Sequence, residues 1–420
     1  MLRRVAVGGA TGFLGAYLCA WFASEGYEVL AFARGRDDAD ARRRVREILD
    51  GIPDFGPIAL DRVRVFAYDL AAGELPAEAA RMLRGVPFVN TIASLKHSEQ
   101  HRAEIMDTNV EGTRRLLDAL TAAGVSRLCH VSTAYVCGSA AGEVAERPID
   151  VATTAFNNLY EQSKATAEAL LLAQSAIPVD IVRPSIIIGS SPTGWARNFT
   201  GYYGLYAVVR AAAHEVSQAF GGRRLAYLPL GLPGDPRACS DVVTVDYVAD
   251  CIGRLVQCAA TAPAGHDILH VVSGAPRPTA YFLGAVQSHL GLGGVEFLTP
   301  DRLTDGGTLE RWCSARLRFN TSYTVRDYRF SDDRLRVRLG AAAPSPSAVG
   351  PDVLWRVNDF FGACLEADAP AMSRDAERAA ALASQFADRP GFLQKNGIEI
   401  DPRSTPAAAV AARVGQHIAP

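Results

Sequence analysis

The chain has 420 residues, 49% of them hydrophobic, and a formal net charge of −2 at pH 7. This length can bury a large core and favours one large domain with a smaller second lobe. The balanced charge, with no basic stripe, argues against a nucleic-acid-binding protein, and no apolar run is long enough to span a membrane. The eight cysteines are scattered and the N-terminus enters a strand at once, so we expect a cytoplasmic protein, with monomer and dimer both left open.

Short apolar segments alternate with helical patterns over the first 190 residues. Strands are predicted at residues 5–7, 29–33, 63–66, 86–90, 127–131 and 179–182, and helices at 13–24, 37–49, 99–123 and 158–173. Strands separated by helices in this rhythm are typical of a parallel sheet. The pattern therefore predicts an α/β fold with a Rossmann-type, doubly wound parallel sheet, whose ligands bind beyond the carboxyl ends of the strands.

The pattern changes after residue 190. Residues 191–238 are rich in Gly, Pro, Tyr and Arg, which indicates a substrate lobe or lid. A strand or loop followed by a helix is predicted at 242–256, a strand at 268–272 and a helix at 281–290. We therefore predict a dinucleotide-binding domain at 1–190, with further strands and helices from about 239–275. Residues 191–238 and 276–420 are predicted to form the smaller C-terminal substrate lobe, lid and C-terminal extension, with a surface linker at 341–347.

A glycine-rich turn follows the first strand and opens the first helix. Its sequence is Gly9-Ala-Thr11-Gly12-Phe13-Leu14-Gly15. The first glycine permits a tight turn, the second lets the backbone approach a pyrophosphate, and the third allows close packing of helix and strand. The N–H groups and the positive end of the helix then face the phosphates. We expect all the residues from Gly9 to Gly15 except Ala10 to contact a dinucleotide.

The residues after the second strand predict which dinucleotide is bound. Arg34 stands where NAD sites usually place an acidic residue, and a guanidinium suits a 2′-phosphate, so NADPH is predicted over NADH. Arg44, one helical turn or more further on, is expected to add a contact. Asp37 and Asp38 follow closely, and they are either helix-capping acids or ribose acceptors. After the third strand, Asp69 and Leu70 are placed at the adenine.

Three side chains in the middle of the chain have the chemistry of a proton-transfer site. Thr133 follows the fifth strand, and Tyr160 comes 27 residues later with Lys164 four residues beyond it. Residues four apart share one face of a helix, and a nearby ammonium is expected to lower the pKa of the phenol. Tyr160 is therefore the predicted general acid, Thr133 the group that polarises a substrate oxygen, and Lys164 also a ribose contact. Asn109 is expected to bind a backbone carbonyl or a water near the lysine.

These segments together resemble an extended short-chain dehydrogenase/reductase. Within that superfamily the chain is most similar to the branch of fatty acyl-CoA reductases (male-sterility-like proteins) and terminal thioester reductases. The resembling segments are residues 9–15, 109–113, 131–136, 160–164 and 183–186. The resemblance implies catalytic Thr133, Tyr160 and Lys164, and nicotinamide contacts from Pro184, Ser185 and Ile186. The chain departs from the family at the end of the fourth strand, where Asn90-Thr-Ile-Ala-Ser94 is bulkier than the usual run.

The resemblance implies an NADPH-dependent reductase that converts an acyl thioester to an aldehyde, with reduction onward to an alcohol left open. The thioester would be presented by CoA or by a separate carrier protein. The alternatives are a nucleotide-sugar epimerase or dehydratase, an alcohol or ketone dehydrogenase, and a non-enzymatic dinucleotide-sensing regulator. No metal site is expected, because His266 and His270 lie on or beside a predicted strand without a third ligand.

Overall fold

The computed structural model describes residues 3–174, 176–303, 307–346, 349–367, 376–387, 389 and 391–398. The strands are β1 Arg4–Gly8, β2 Glu28–Ala33, β3 Val63–Ala67, β4 Pro87–Asn90, β5 Arg127–Val131, β6 Gly142–Val144, β7 Val179–Pro184, β8 Ile186–Ile188, β9 Tyr227–Pro233, β10 Cys239–Ser240, β11 Val242–Thr244, β12 Asp267–Val271, β13 Arg277–Pro278, β14 Gly293–Leu298 and β15 Tyr328–Phe330.

The helices are α1 Phe13–Ser24, α2 Asp38–Asp50, α3 Ala77–Met82, α4 Arg102–Met106, α5 Gly112–Ala123, α6 Leu159–Leu172, α7 Tyr202–Ala219, α8 Val245–Gln257, α9 Thr279–Leu290, α10 Thr308–Thr324, α11 Asp333–Leu339, α12 Pro351–Ala367, α13 Ala376–Ala387 and α14 Phe392–Lys395. In the described residues, no helix has both the length and the apolarity needed to cross a membrane.

The chain divides into two units. The first contains Met1–Asn198, Asp241–Pro276 and Tyr328–Gly350, and the second the described residues within Phe199–Ser240, Arg277–Asp327 and Pro351–Pro420. Residues 328–350, which the sequence places in the second lobe, join the first unit because β15 pairs in parallel with β6. The part of the predicted C-terminal extension after residue 398 lies outside the described residues.

The first unit is built on a seven-stranded parallel sheet in the order β12-β7-β5-β4-β1-β2-β3, which confirms the predicted Rossmann-type fold. The strand order reverses between β1 and β4, so ligands are expected at this switch point. A core cluster packs one face of the sheet against α3, α5 and α6, and it includes Phe32, Phe88, Leu116 and Ile181. These strands are almost completely buried because helices cover both faces of a parallel sheet.

The predicted helix over 99–123 is interrupted. It consists of a 3-10 turn at Glu99–His101, then α4, a π segment at Asp107–Glu111, and α5. A π segment fits one extra residue into a turn, and here Asn109 and Val110 are both buried. The helix ends at Gly124, whose φ of 72° is the left-handed conformation that favours glycine.

The second unit pairs β9 in parallel with β14 and packs α7 against α9, α10 and α13. The segment predicted as a substrate lobe or lid therefore contains an 18-residue helix. Tyr202 donates to Asn358 Oδ1 at 2.8 Å, and the ring of Tyr203 lies 4.9 Å from that of Phe361. Tyr206 is hydrogen-bonded to His289 at 3.2 Å. These contacts indicate that the tyrosines pack the unit.

Candidate functional site

The glycine-rich turn joins β1 to α1 and has the geometry that the motif predicts. The N–H groups of Gly9 and Ala10 both donate to Phe32 O at 3.0 Å, and Gly9 has a φ of +85°. A Cβ at position 15 would lie 2.1 Å from Gly9 O, so only glycine fits there. Gly12 is exposed at the N-terminus of α1, where no side chain caps the free N–H groups. This backbone fits a phosphate group.

The bulky end of β4 has a structural role beside this turn. The Thr91 hydroxyl donates to Gly8 O at 2.8 Å, and Thr91 Oγ1 lies 2.6 Å from where a Cβ of Gly9 would be. Thr91 therefore supports the turn, and its size requires glycine at position 9. The departure from the family pattern at this strand end leaves the turn in the expected conformation.

A segment of the first unit that sequence reasoning left without a role lies against the same turn. The ring of Trp195 lies 5.6 Å from that of Phe13 and 5.9 Å from that of Tyr17. The exposed Arg197 donates from Nε to Thr11 O at 3.1 Å, which places a cation beside the turn. Leu14 is buried beneath it. The sequence around Trp195 and Arg197 does not predict that these residues contact the glycine turn and α1, because the contacts join segments about 180 residues apart.

At the end of β2, Arg34 is exposed, and its carbonyl oxygen accepts a hydrogen bond from Arg44 Nη1 at 2.5 Å. The structure therefore brings these two predicted residues together. Asp37 caps α2 by accepting from Asp40 N at 2.8 Å, and Asp38 accepts from Ala67 N at 2.6 Å. Asp37 thus has the capping role that was one of the two alternatives, whereas Asp38 binds the backbone at the end of β3. The guanidinium of Arg34 is left facing solvent.

At the end of β3, Asp69 is exposed and Leu70 is buried. Asp69 Oδ1 accepts from Ala71 N at 3.0 Å, and Leu70 O accepts from Arg115 Nε at 2.8 Å. After β7, Ser185 donates to Asp241 Oδ1 at 2.6 Å, so its hydroxyl is directed into the protein. Ile186 remains half-buried and starts β8.

The predicted catalytic residues lie at the end of β5 and the start of α6. Thr133 is buried, and its Oγ1 accepts from Tyr135 N at 3.3 Å, which leaves the hydroxyl hydrogen free to donate. Asn158 caps α6 by accepting from Glu161 N at 3.0 Å, so Tyr160 and Lys164 lie in its first turns. Lys164 donates to Val131 O at 2.7 Å, which ties the helix to the end of β5.

Asn109 connects two parts of this site. Its Nδ2 donates to Ser94 O at 3.0 Å and to Ser163 Oγ at 2.9 Å, and its Oδ1 accepts from Ser94 N at 2.7 Å. The expected bond to a backbone carbonyl is therefore present. Because Ser163 precedes Lys164 on α6, Asn109 links the segment after β4 to the helix that carries Tyr160 and Lys164.

Sequence reasoning missed His130. It is fully buried on β5, with Nε2 3.2 Å from Lys164 Nζ and Nδ1 3.2 Å from Asn90 Nδ2. A polar residue in the interior of the strand, between Cys129 and Val131, was the available signal. Unlike the buried Lys164, Lys96 lies on the surface, where it forms an ion pair with Glu104 at 2.6 Å.

Burial dominates the electrostatics of the site. It lowers the pKa of Lys164 to about 8, which Glu168 partly opposes, and it raises the pKa of Tyr160 above its ordinary value. The phenol pKa thus moves in the direction opposite to the one expected from a neighbouring ammonium. Tyr160 is consequently protonated at neutral pH, the form that a proton donor needs.

The site residues form a row along the carboxyl edge of the sheet. The strands β3, β2, β1, β4, β5 and β7 are neighbours in that order. The first five are followed by Asp69, Arg34, the glycine turn, Thr91 and Thr133, and β7 ends at Pro184. Neighbouring strands are about 4.8 Å apart, so the row spans roughly 24 Å. Within the described residues, no three His, Cys, Asp or Glu side chains are grouped as metal ligands would be.

The sequence is similar to that of a known protein family and to several characterised proteins. Residues 7–252 match the sequence profile of a family described as male sterility protein. Over 188 residues the chain is 31% identical to sterol demethylase protein B of Methylococcus capsulatus, which covers 44% of this chain and 51% of that protein. It is 26% identical over 295 residues to isonitrile lipopeptide synthase of Mycobacterium tuberculosis, which covers 65% of this chain and 12% of that protein. The chain thus spans about half or less of these relatives.

Solved structures share the fold. The terminal R domain of the myxalamid PKS-NRPS biosynthetic pathway superposes with a TM-score of 0.66 at 20% identity, covering 87% of this chain and 91% of that one. UDP-glucuronic acid 4-epimerase from Bacillus cereus, in complex with NAD, superposes with a TM-score of 0.60 at 15% identity, covering 87% and 99%. Because the family profile matches more than half of the chain, the protein belongs to the male sterility protein family, within the extended short-chain dehydrogenase/reductases.

Proposed function

We propose that this protein is an NADPH-dependent reductase of acyl thioesters. The observation that carries the proposal is the hydrogen bond from Lys164 on α6 to Val131 O at the end of β5, two strands from the glycine turn. Thr133 comes two residues after Val131, and Tyr160 lies one turn before Lys164 on the same helix. The arrangement provides a hydrogen-bond donor, a protonated phenol and a buried amine beside a backbone that fits a dinucleotide. When bound there, NADPH would supply a hydride.

The dinucleotide would be held along the row of strand ends. The glycine turn and α1 would bind its pyrophosphate, and Arg197 adds a cation beside the turn. Arg34 and Arg44 would hold a 2′-phosphate, and the exposed guanidinium of Arg34 supports NADPH over NADH. Pro184 at the end of β7, with Ser185 and Ile186 after it, would be the nicotinamide contacts.

The substrate carbonyl would lie between Thr133 and Tyr160. As hydride reaches the carbonyl carbon, the C=O π electrons move to the oxygen, and Thr133 donates a hydrogen bond to the developing oxyanion. Tyr160 gives its proton to that oxygen, which forms a thiohemiacetal. As the C–S bond breaks, the hydroxyl proton would pass to the sulfur, which gives an aldehyde and a free thiol. A proton from solvent would then restore the Tyr160 phenol.

The assignment of an acyl thioester as the substrate is supported by the proteins that this chain resembles. A lipopeptide synthase is among the relatives and a PKS-NRPS terminal domain is among the similar folds, which supports a carrier-bound acyl group. A 27% identity over 191 residues to a 3-beta-hydroxysteroid dehydrogenase of Mycolicibacterium neoaurum favours a second candidate, a dehydrogenase acting on the hydroxyl of an alicyclic alcohol. The same three side chains would then work in the reverse direction.

The deciding experiment measures pyridine-nucleotide turnover by the purified protein with acyl-CoA, acyl-carrier protein, free aldehydes and sterols. We expect NADPH oxidation with a thioester, together with an aldehyde or alcohol product identified by mass. A matched Tyr160→Phe preparation should bind NADPH but turn over at least about 100-fold more slowly. Activity confined to sterol oxidation would establish the second candidate, and equal activity of the variant would reject the site.

A further inference from the structure

The segment after β8 contains none of the predicted site residues, yet it lies against the glycine turn. This segment, residues 189–197, is called the β8 loop. Near its end the ring of Trp195 lies 5.6 Å from that of Phe13, and Arg197 Nε donates to Thr11 O at 3.1 Å. The loop therefore brings an aromatic ring and a cation to the place where a dinucleotide is proposed to bind.

The β8 loop is closed by its own hydrogen bonds. Ser190 N donates to Trp195 O at 3.0 Å, and Gly194 N donates to Ser190 O at 2.9 Å. A Cβ on Gly189 would lie 2.2 Å from Gly194 O, and Gly194 itself has a φ of 75°, so both positions require glycine. The loop is therefore compact, and Arg197 follows two residues after its closing hydrogen bond.

Two carboxylates attach the β8 loop to neighbouring helices. Asp54 accepts from the Thr193 hydroxyl through Oδ1 and from the Tyr17 hydroxyl on α1, at 2.8 Å, through Oδ2. Asp246, in the first turn of α8, accepts from Ser191 N at 2.8 Å and from the Ser191 hydroxyl at 2.6 Å. Because α1 begins at the glycine turn, the attachment through Asp54 holds the loop in place relative to that turn.

The guanidinium of Arg197 retains unused hydrogen-bond donors. It has five N–H donors, and the bond from Nε to Thr11 O uses one of them. Arg197 is exposed, and within the part of the chain that the structure describes no carboxylate pairs with it. Helix α1 begins at Phe13, two residues after Thr11, and no side chain caps its N-terminus. The guanidinium and the free N–H groups of α1 thus contact backbone atoms within roughly 8 Å of each other.

Both sets of donors suit a phosphate anion, because helix N-termini bind phosphate through their N–H groups and a guanidinium matches phosphate oxygens in charge and geometry. We propose that Arg197 binds the diphosphate of the dinucleotide, and that Asp54 is the residue that positions it. This role rests on the proposed dinucleotide site and holds whichever substrate is reduced. The diphosphate is common to NADPH and NADH, so Arg197 contributes to the affinity for both, whereas Arg34 selects between them.

Calorimetric binding of three probes to the full-length protein tests this contact. NADPH and NADH contain the diphosphate, whereas adenosine 2′-monophosphate does not. Arg197→Ala should weaken binding of NADPH and NADH by the same factor, roughly tenfold, and leave binding of adenosine 2′-monophosphate unchanged. Arg114→Ala removes an exposed arginine on α5 and is the matched control, which should change none of the three.

An equal loss for all three probes, or unchanged binding of both nucleotides, would overturn the proposal while leaving the dinucleotide site in place. A parent protein that binds neither nucleotide would reject the dinucleotide site itself, and the contact with it.

Two further variants separate a contact with the diphosphate from support of the glycine turn. Arg197→Lys keeps the positive charge and should recover part of the lost affinity. Arg197→Gln can still donate to Thr11 O but has no charge, and it should bind both nucleotides as weakly as Arg197→Ala. Recovery with glutamine and not with lysine would show that Arg197 only supports the turn, which would overturn the proposal.

The positioning role of Asp54 is tested in a double-mutant cycle. Asp54→Ala removes the acceptor shared by Thr193 and Tyr17 but keeps the guanidinium. It should weaken nucleotide binding about threefold in the parent and have no effect in the Arg197→Ala background, because the residue that it positions is then missing. An equal loss in both backgrounds would show that Asp54 acts independently of Arg197 and would contradict its positioning role.

Discussion

Replacing Lys164 with methionine tests the electrostatic description of the site. Burial lowers the pKa of this lysine from 10.5 to about 8. Between these two values the unfolded chain binds more protons than the folded one, so the stability of the parent rises with pH in this window. The shift of about 2.5 units corresponds to ~3 kcal/mol of destabilisation that is fully present below pH 8 and absent above pH 10.5.

The Lys164→Met variant lacks this term. Its free energy of unfolding relative to the parent should therefore fall by about 2 to 3 kcal/mol between pH 7 and pH 10. The variant also leaves Val131 O without its lysine donor, a cost of about 1–3 kcal/mol that does not depend on pH. The quantity to compare is therefore how the difference in unfolding free energy between variant and parent changes with pH, because the lost hydrogen bond adds the same amount at every pH.

The assay is urea unfolding of parent and variant across this pH range, followed by circular dichroism. Lys96→Met is the matched control, because Lys96 lies on the surface in an ion pair with Glu104. Its difference from the parent should stay within about 0.5 kcal/mol at every pH. If the difference in unfolding free energy between Lys164→Met and the parent did not change with pH, the lowered pKa of Lys164 would be refuted.

Three further substitutions test the cofactor and catalytic assignments. Tyr160→Phe should lower turnover by about 10²–10⁴-fold while the NADPH dissociation constant, measured by fluorescence, stays within about twofold; a proportional loss of binding would contradict a proton-donor role. Arg34→Ala should raise KM for NADPH about tenfold and leave KM for NADH unchanged, with the neighbouring exposed Arg36→Ala as control; equal losses for both nucleotides would contradict a 2′-phosphate contact. Gly15→Ala places a Cβ 2.1 Å from Gly9 O and should abolish calorimetric NADPH binding, whereas Gly56→Ala, with open space around it, should not; retained binding would contradict the described turn.

Local patterns were enough to predict much of this molecule. The glycine turn, the strand–helix alternation and the shared face of Tyr160 and Lys164 depend on residues close together in the chain. The parallel sheet and the family were therefore predicted correctly. The roles of the predicted contact residues remain predictions, although the structure places them along one edge of the sheet.

What could not be predicted depends on contacts between distant segments. His130 contacts Lys164 across 34 residues and Asn90 across 40, so only the pairing of β4 with β5 and the packing of α6 bring them together. The direction of the Tyr160 pKa shift was mispredicted for the same reason, because burial depends on the whole fold. The pairing of β15 with β6 likewise joins residues nearly 190 apart.

The central claim is that Tyr160 protonates the oxygen of a thioester carbonyl as NADPH reduces its carbon. The most direct measurement follows deuterium from the transferable C4 position of labelled NADPH, with free thiol and product mass measured in the same reaction. The account predicts one thiol released per aldehyde, one deuterium on the former thioester carbon, and loss of both signals in Tyr160→Phe. NADPH oxidation without thiol release, or deuterium transfer undiminished in the variant, would contradict it.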